Sequence, residues 1–180
     1  MSAFQYKHTI FTPVYNRANL VDEVYDSVCA LNYPREDFEW LVIDDGSTDN
    51  LQEHLNRYER ENVINFRQIH KQNGGIHTAM NRAIQEAQGE YVTRIDSDDL
   101  ILPDALSLMD KYITAPKDYP EDKFIGVVGC CINRHDGKIR GTEFPFEVED
   151  GSGHSIQKRY NVSGDRNFCM NGVVTFKCSR

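Results

Sequence analysis

Residues 76–99 read IHTAMNRAIQEAQGEYVTRIDSDD, and this stretch decides the fold. In its first half Ile76, Ala79, Met80, Ala83, Ile84 and Ala87 recur at i, i+3, i+4, i+7, i+8 and i+11, which predicts one apolar face of a helix, with Gly89 as its C-terminal stop. In its second half Glu90 to Ile95 is β-branched and aromatic, and predicts a strand. That strand runs directly into Asp96-Ser97-Asp98-Asp99.

The same alternation holds outward in both directions. Strands are expected at His8 to Thr12, Glu39 to Asp44 and Val63 to His70. Between the first two, Leu20, Val21, Val24, Val28 and Leu31 form a helical stripe stopped by Pro34. A second helix is expected to open near Ser47 or Thr48, whose hydroxyls can cap it, and to bury Leu51, Leu55 and Tyr58. A fourth starts with Pro103 in its first turn, buries Leu106, Met109 and Ile113, and ends before Pro116. Repeated strand-helix units predict an α/β fold, a mostly parallel central sheet with helices on both faces. Residues 1–115 form this βαβ core, and residues 116–180 begin a smaller, irregular region of the same domain. That region holds a strand at Phe124 to Ile132, a turn at Asp136-Gly137, a polar Gly-rich stretch through Gly164 and a strand at Gly172 to Phe176. No closing helix follows, which predicts further sequence after Arg180.

Composition narrows the functional classes. The 180 residues are 27% charged and 39% hydrophobic, as in an ordinary globular domain. A net charge of −8 argues against nucleic acid or an anionic bilayer as the main partner. No apolar run approaches the roughly 18 residues that span a bilayer, so no transmembrane segment is expected in the chain. Five cysteines without a CxxC pair point to reduced thiols and a cytoplasmic location.

Ligands of open α/β sheets bind beyond the carboxyl ends of the strands, so the loops after the strands carry the chemistry. They read Thr12-Pro13-Val14-Tyr15-Asn16-Arg17, Asp44-Asp45-Gly46-Ser47-Thr48-Asp49, Lys71-Gln72-Asn73-Gly74-Gly75 and Asp96-Ser97-Asp98-Asp99. In the last, Asp96, Asp98, Asp99 and the nearby Asp104 face only Arg94, a repulsive set that a bound cation relieves. Carboxylate oxygens without His or Cys select Mg²⁺, Mn²⁺ or Ca²⁺ over zinc. Asp44 and Asp45 can accept hydrogen bonds from a nucleobase, and Asn73-Gly74-Gly75 before a helix resembles an anion-binding N-terminus. Each loop also has a plain structural account: aspartates capping the helix after Pro103, a tight turn at Gly46, a Gly-rich junction, or a rigid loop with Tyr15 in the core. No GxxxxGK[ST] occurs, which excludes a P-loop, and no GxGxxG follows the first strand, which argues against a dinucleotide site.

Taken in order, the four loops resemble the family 2 glycosyltransferases of the GT-A fold. The resemblance covers about the first 115 residues, through Thr-Pro-Val-Tyr-Asn at 12–16, Ile-Asp-Asp-Gly-Ser-Thr-Asp at 43–49, Asn-Gly-Gly at 73–75 and Asp-Ser-Asp-Asp at 96–99. It implies Pro13, Tyr15 and Asn16 around a nucleotide base, Asp45 supported by Asp44 as the base's acceptor, and Asn73, Gly74 and Gly75 beside the donor. It further implies Asp96, with Ser97, toward ribose or sugar, and Asp98 with Asp96 on Mn²⁺ or Mg²⁺. The implied reaction is inverting transfer of a sugar from a nucleoside diphosphate donor, UDP above all, to a saccharide or glycolipid acceptor hydroxyl. Cell-surface polysaccharide or glycolipid synthesis is the implied setting, in the cytoplasm or at the inner face of the membrane. The family's catalytic base usually lies further along the chain, and Asp165 is not assigned to it, so the base is expected beyond Arg180. The 180 residues are then expected to bind donor but to transfer sugar poorly. Two alternatives remain: a non-catalytic nucleotide-sugar-binding module, and a haloacid dehalogenase-type phosphatase with Asp96 as nucleophile.

Overall fold

A computed structural model describes residues 4–114, 126–128, 134–138 and 174–177. Its central strand, β1 (Tyr6–Val14), is buried on both sides from His8 to Thr12, as expected of a parallel strand with helices above and below. Strand β2 (Phe38–Asp44) is buried along its whole length, and β3 (Phe66–His70) is a half-buried edge. On the other side of β1 lies β4 (Gly89–Arg94). All these pairs are parallel, with Phe11 opposite both Leu41 and Arg94, and Val42 opposite Gln68.

Two further strands extend the sheet. β5 (Gly126–Val128) and β6 (Val174–Lys177) complete the order β3-β2-β1-β4-β6-β5. β6 runs antiparallel to both neighbours, with Val174 opposite Arg94 on β4 and opposite Val128 on β5.

The helices follow from the winding. From β1 the chain steps outward to β2 and β3, then returns across β1 to β4. Right-handed crossovers made in opposite directions put their helices on opposite faces. Thus α1 (Ala18–Cys29) and α2 (Leu51–Glu61) share one face with α4 (Ala105–Ile113), while α3 (Ile76–Glu86) covers the other. The first face is aromatic, with Tyr25 stacked on Tyr58 at 4.0 Å and Trp40 packed beside both. The second is thin: Ala79, Ala83 and Ala87 lie flat on Phe11, Leu41, Ile43 and Val92.

Several expectations shift. Gly89 does not stop α3; it opens β4 as the register partner of Tyr6, and Ala87 closes the helix. Ile76 and Ile84 of the predicted stripe are each 44% exposed, and the contact is made by the three alanines with Met80 packed against them. Helix α2 starts at Leu51 rather than at Ser47, and the Asp49 carboxylate accepts from the Leu51 amide at 3.3 Å. Pro103 lies two residues ahead of α4. Val63 to Asn65 precede β3 because Asn62, in the left-handed region at φ 48°, ends α2 and turns the chain. The turn at Asp136-Gly137 forms, with the Lys138 amide donating to Asp136 at 3.0 Å. Of the two late strands expected, β5 and β6 are the described parts. The Gly-rich stretch through Gly164, Asp165 and Cys130, Cys131, Cys169 and Cys178 lie outside the described residues. Cys29 is a half-buried free thiol whose pKa burial pushes up, as suits a packing residue rather than a nucleophile.

On β2, opposite Thr9 of β1, sits a fully buried carboxylate, Glu39. It accepts from the Thr9 hydroxyl at 2.7 Å, the Gln88 amide at 2.7 Å and Arg67 at 3.0 Å. Thr9 in turn accepts from the Gly89 amide at 2.8 Å. This approach leaves no room at Gly89, where a Cβ would stand 2.4 Å from the Thr9 nitrogen and 2.5 Å from the His8 carbonyl carbon. Gly89→Ala is expected to destabilise the chain by about 3 kcal/mol, at the upper end of overpacking costs. A urea midpoint unchanged from wild type would contradict that packing.

Candidate functional site

The four loops do meet at one sheet edge, tied together by their own polar groups. Asn16 takes the left-handed conformation at φ 52°, uncommon outside glycine, and so turns the chain back across β2. Its amide donates to the Ser47 hydroxyl at 3.0 Å, and its side-chain oxygen accepts from the Thr48 amide at 2.7 Å. The two hydroxyl residues expected to cap α2 therefore serve this junction. Asp49 reaches across as well, accepting from the Ala18 amide at 2.9 Å. Gly46, at φ 82°, lets the next loop pass close: a Cβ there would lie 2.8 Å from the Asn73 nitrogen.

The acidic pair after β2 divides into two tasks. Asp44 accepts from the Ser47 amide at 2.8 Å and pairs with His70 at 2.8 Å. Asp45 is 4% exposed and receives three donors: the Lys71 ammonium, the Gly74 amide at 3.0 Å and the Gly75 amide at 2.8 Å. Burial opposes its ionisation, but the Lys71 hydrogen bond and the two amides outweigh burial, so its pKa lies below the ordinary carboxylate value. This corrects one expectation. The Gly74 and Gly75 amides face an anion of the protein itself rather than standing free for a phosphate.

Between β1 and β4, where the winding reverses, a cleft of about 250 Å³ opens. Pro13, Tyr15 and Arg17 form one wall, Asp45 and Ile76 part of the floor, and Arg94, Asp96, Ser97 and Asp98 the other wall. This is the topological switch point at which open α/β sheets hold ligands. Six residues singled out in the sequence thus line one cavity: Pro13, Tyr15, Asp45, Asp96, Ser97 and Asp98. Asn16, Asp44, Asn73, Gly74 and Gly75 lie outside that lining, and Asn16, Asp44, Gly74 and Gly75 shape or brace the loops around it. Arg17, Lys71 and Ile76 escaped the sequence reading as site residues, and Arg94 entered it only as a counter-charge.

Arg94 is the last residue of β4, and Asp96 lies two residues further on, in the loop that follows. The guanidinium grips the carboxylate with both arms, Nε to Oδ1 at 2.7 Å and Nη2 to Oδ2 at 2.8 Å. Arg17 stands 3.9 Å from Asp98, both more than half exposed. Asp104 does not join this group; it accepts from Asn32 at 3.0 Å at the start of α4.

Among the described residues no three His, Cys, Asp or Glu side chains are grouped to hold an ion by themselves. Two cleft carboxylates, Asp96 and Asp98, nevertheless fit Mg²⁺ or Mn²⁺. These ions are commonly held by one or two carboxylates plus phosphate oxygens and water.

The profile of glycosyl transferase family 2 matches residues 9–165. The chain belongs to glycosyl transferase family 2. It is 38% identical over 120 residues to a chondroitin synthase of Pasteurella multocida, covering 67% of this chain and 12% of that protein. It is 40% identical over 102 residues to a poly(ribitol-phosphate) beta-glucosyltransferase of Bacillus spizizenii, covering 56% of this chain and 16% of that protein. The chain thus spans under a fifth of either relative. Among solved structures it resembles Staphylococcus aureus TarS 1-349 in complex with UDP-GlcNAc, with TM-score 0.56 and 26% identity over 67% of this chain and 39% of that one. It also resembles the mannosyltransferase PcManGT of Pyrobaculum calidifontis in complex with GDP-Man and Mn²⁺, with TM-score 0.61 and 27% identity over 73% of this chain and 37% of that one. The fold is the GT-A type of these family 2 neighbours. Family membership and the Arg94 fork on Asp96 together set aside a dehalogenase-type nucleophile.

Because the folded pKa of Asp45 is depressed, the stability it contributes is complete above the unfolded carboxylate value of about 3.9 and is lost as pH falls through the folded value. Asp45→Asn is expected to lose about 2–3 kcal/mol at neutral pH, since it leaves Lys71 without its counter-charge. Its denaturation midpoint should approach that of wild type as pH falls through the depressed folded value of Asp45. A gap between the two proteins that stays constant down to acid would refute the assignment.

Proposed function

We propose that this chain carries the donor site of a metal-dependent glycosyltransferase, which moves a sugar from a UDP-sugar to a saccharide or glycolipid hydroxyl with inversion. The observation that carries the reading is the switch-point cleft, with an oriented carboxylate on its floor, Asp45, and two more, Asp96 and Asp98, on one wall. In the reaction the acceptor oxygen bonds to the anomeric carbon as the bond to the diphosphate breaks, and UDP leaves. The acceptor proton passes to a base that we place outside the described residues.

The chain's own residues supply recognition. Asp45 spends two acceptor positions of Oδ1 on Lys71 and Gly74 and one of Oδ2 on Gly75. A carboxylate offers about four, so one position on Oδ2 is left for the imide N–H of uracil. Pro13 and the half-exposed ring of Tyr15 offer an apolar wall to the base, and Asn16 holds that wall in place. Asp96 and Ser97 face the ribose and sugar. Asp98, with Asp96, holds Mn²⁺ or Mg²⁺, and when bound the cation neutralises charge on the leaving diphosphate. Support for a divalent cation comes from the hard oxygen donor set here and from the Mn²⁺ complex of the mannosyltransferase neighbour.

No helix of the described residues is long and apolar enough to cross a membrane. We place the work in the cytoplasm, with a glycolipid acceptor met at the inner membrane face, in the building of a cell-surface polysaccharide or glycolipid.

The test is a thermal-shift panel of UDP, GDP, dTDP and CMP, with and without Mn²⁺. UDP at about a hundred times its dissociation constant should stabilise the chain by about 2.7 kcal/mol, or roughly 5–10 °C. The shift should require Mn²⁺ and disappear in Asp98→Asn. Equal, metal-independent shifts with all four nucleotides would overturn the proposal.

A further inference from the structure

Three acids of the cleft each have a cationic partner: Asp45 has Lys71, Asp96 has Arg94 and Asp98 has Arg17. The pairs are not equivalent. The Lys71 ammonium also donates to the Gln72 carbonyl at 2.7 Å and the Thr78 hydroxyl at 2.8 Å, which uses all three of its donors in fixing the floor. Arg17 and Asp98 lie 3.9 Å apart at the solvent edge, a weak pair. Only the Arg94 pair is both sheltered and two-armed, with side chains 15% and 21% exposed and both oxygens of Asp96 engaged. Arg94 is the last residue of β4 and is held in register with Phe11, whereas Asp96 lies two residues further on, in the loop, so the fork is anchored on its arginine side and its carboxylate side belongs to the loop.

We propose that Arg94 is a positioning residue that occupies Asp96 until donor arrives, and so makes loading of the divalent cation depend on the nucleotide. The inference rests on the donor-site reading given above. A cation approaching the cleft alone meets a guanidinium already on one of its two carboxylates, and a like charge must be displaced or tolerated at close range. A diphosphate removes that obstacle. Its oxygens attract the arginine fork, which suits phosphate as well as carboxylate, and Asp96 is released to the metal or sugar. With cationic partners on all three acids, the cleft is near neutrality before either ligand arrives. A divalent cation paired with a nucleotide sugar carrying about two negative charges adds no net charge, whereas either ligand alone does.

The experiment measures Mn²⁺ binding to the 180-residue chain from the electron paramagnetic resonance signal of free Mn²⁺, with and without UDP. Arg94→Gln should bind Mn²⁺ alone about tenfold more tightly than wild type, the size expected for removing a unit charge near a divalent ion in a water-exposed site. The tightening of Mn²⁺ binding by UDP should shrink correspondingly. Arg94→Lys, which keeps the charge but not the fork, should fall between the two, and it serves if the glutamine variant does not fold. A variant that merely loosened the site would bind Mn²⁺ more weakly, so the gain is diagnostic. Titrations with Mn²⁺ alone that overlay wild type, or weaken, overturn the role of Arg94, as does a failure of all these chains to bind Mn²⁺. Absence of UDP binding in wild type, with the Mn²⁺ difference intact, counts instead against the donor-site reading.

Discussion

One buried carboxylate organises the working edge of this fold. Asp45 gathers the ammonium of Lys71 and the amides of Gly74 and Gly75, so the loop after β3 is held by an anion at the tip of β2. Its own amide donates to the Val14 carbonyl at 2.8 Å, which joins the same point to β1. Three strand ends therefore converge on a single residue, and the start of α3 follows from where that residue sits. Such a group is costly to bury unless its partners are complete, and here they nearly are. Asp45 is also one of the residues that line the cleft.

The opposite wall has a different character. The end of β4 and the loop after it carry their acids at 21% exposure for Asp96 and 58% for Asp98, in contact with solvent and with arginines. A floor whose carboxylate is held by three donors and a wall that is charged and more exposed suit two kinds of recognition. On the donor-site proposal, the first would select a base by its hydrogen-bond pattern, and the second would respond to the net charge of a diphosphate with its cation.

Much of the core was legible because its chemistry is written in period. The run from Ile76 to Ala87 and the strand from Glu90 to Ile95 fall within one or two residues of α3 and β4, and burial of Leu106, Met109 and Ile113 followed from spacing alone. The misses came where a tertiary contact overrode a local rule. Ser47 and Thr48 look like helix caps but are claimed by Asn16, and Gly89 looks like a helix stop but is a glycine because Thr9 and His8 leave no space beside it. Lys71 and Arg94 were under-read for a similar reason. A lone lysine or arginine carries no periodic signal, and its meaning depends on which acid it meets in space. Arg94 did leave a trace, since it stands two residues from Asp96 and was the one cation near that acidic run in the sequence.

The antiparallel placement of β6 carries a further implication. Val128 at the end of β5 and Val174 at the start of β6 are partners, and Val174 also stands beside Arg94. The described parts of β5 and β6 thus pair beside the end of β4, on the side away from β1. The parallel registers are made wholly among β1 to β4, so the antiparallel pair widens the sheet without entering into them.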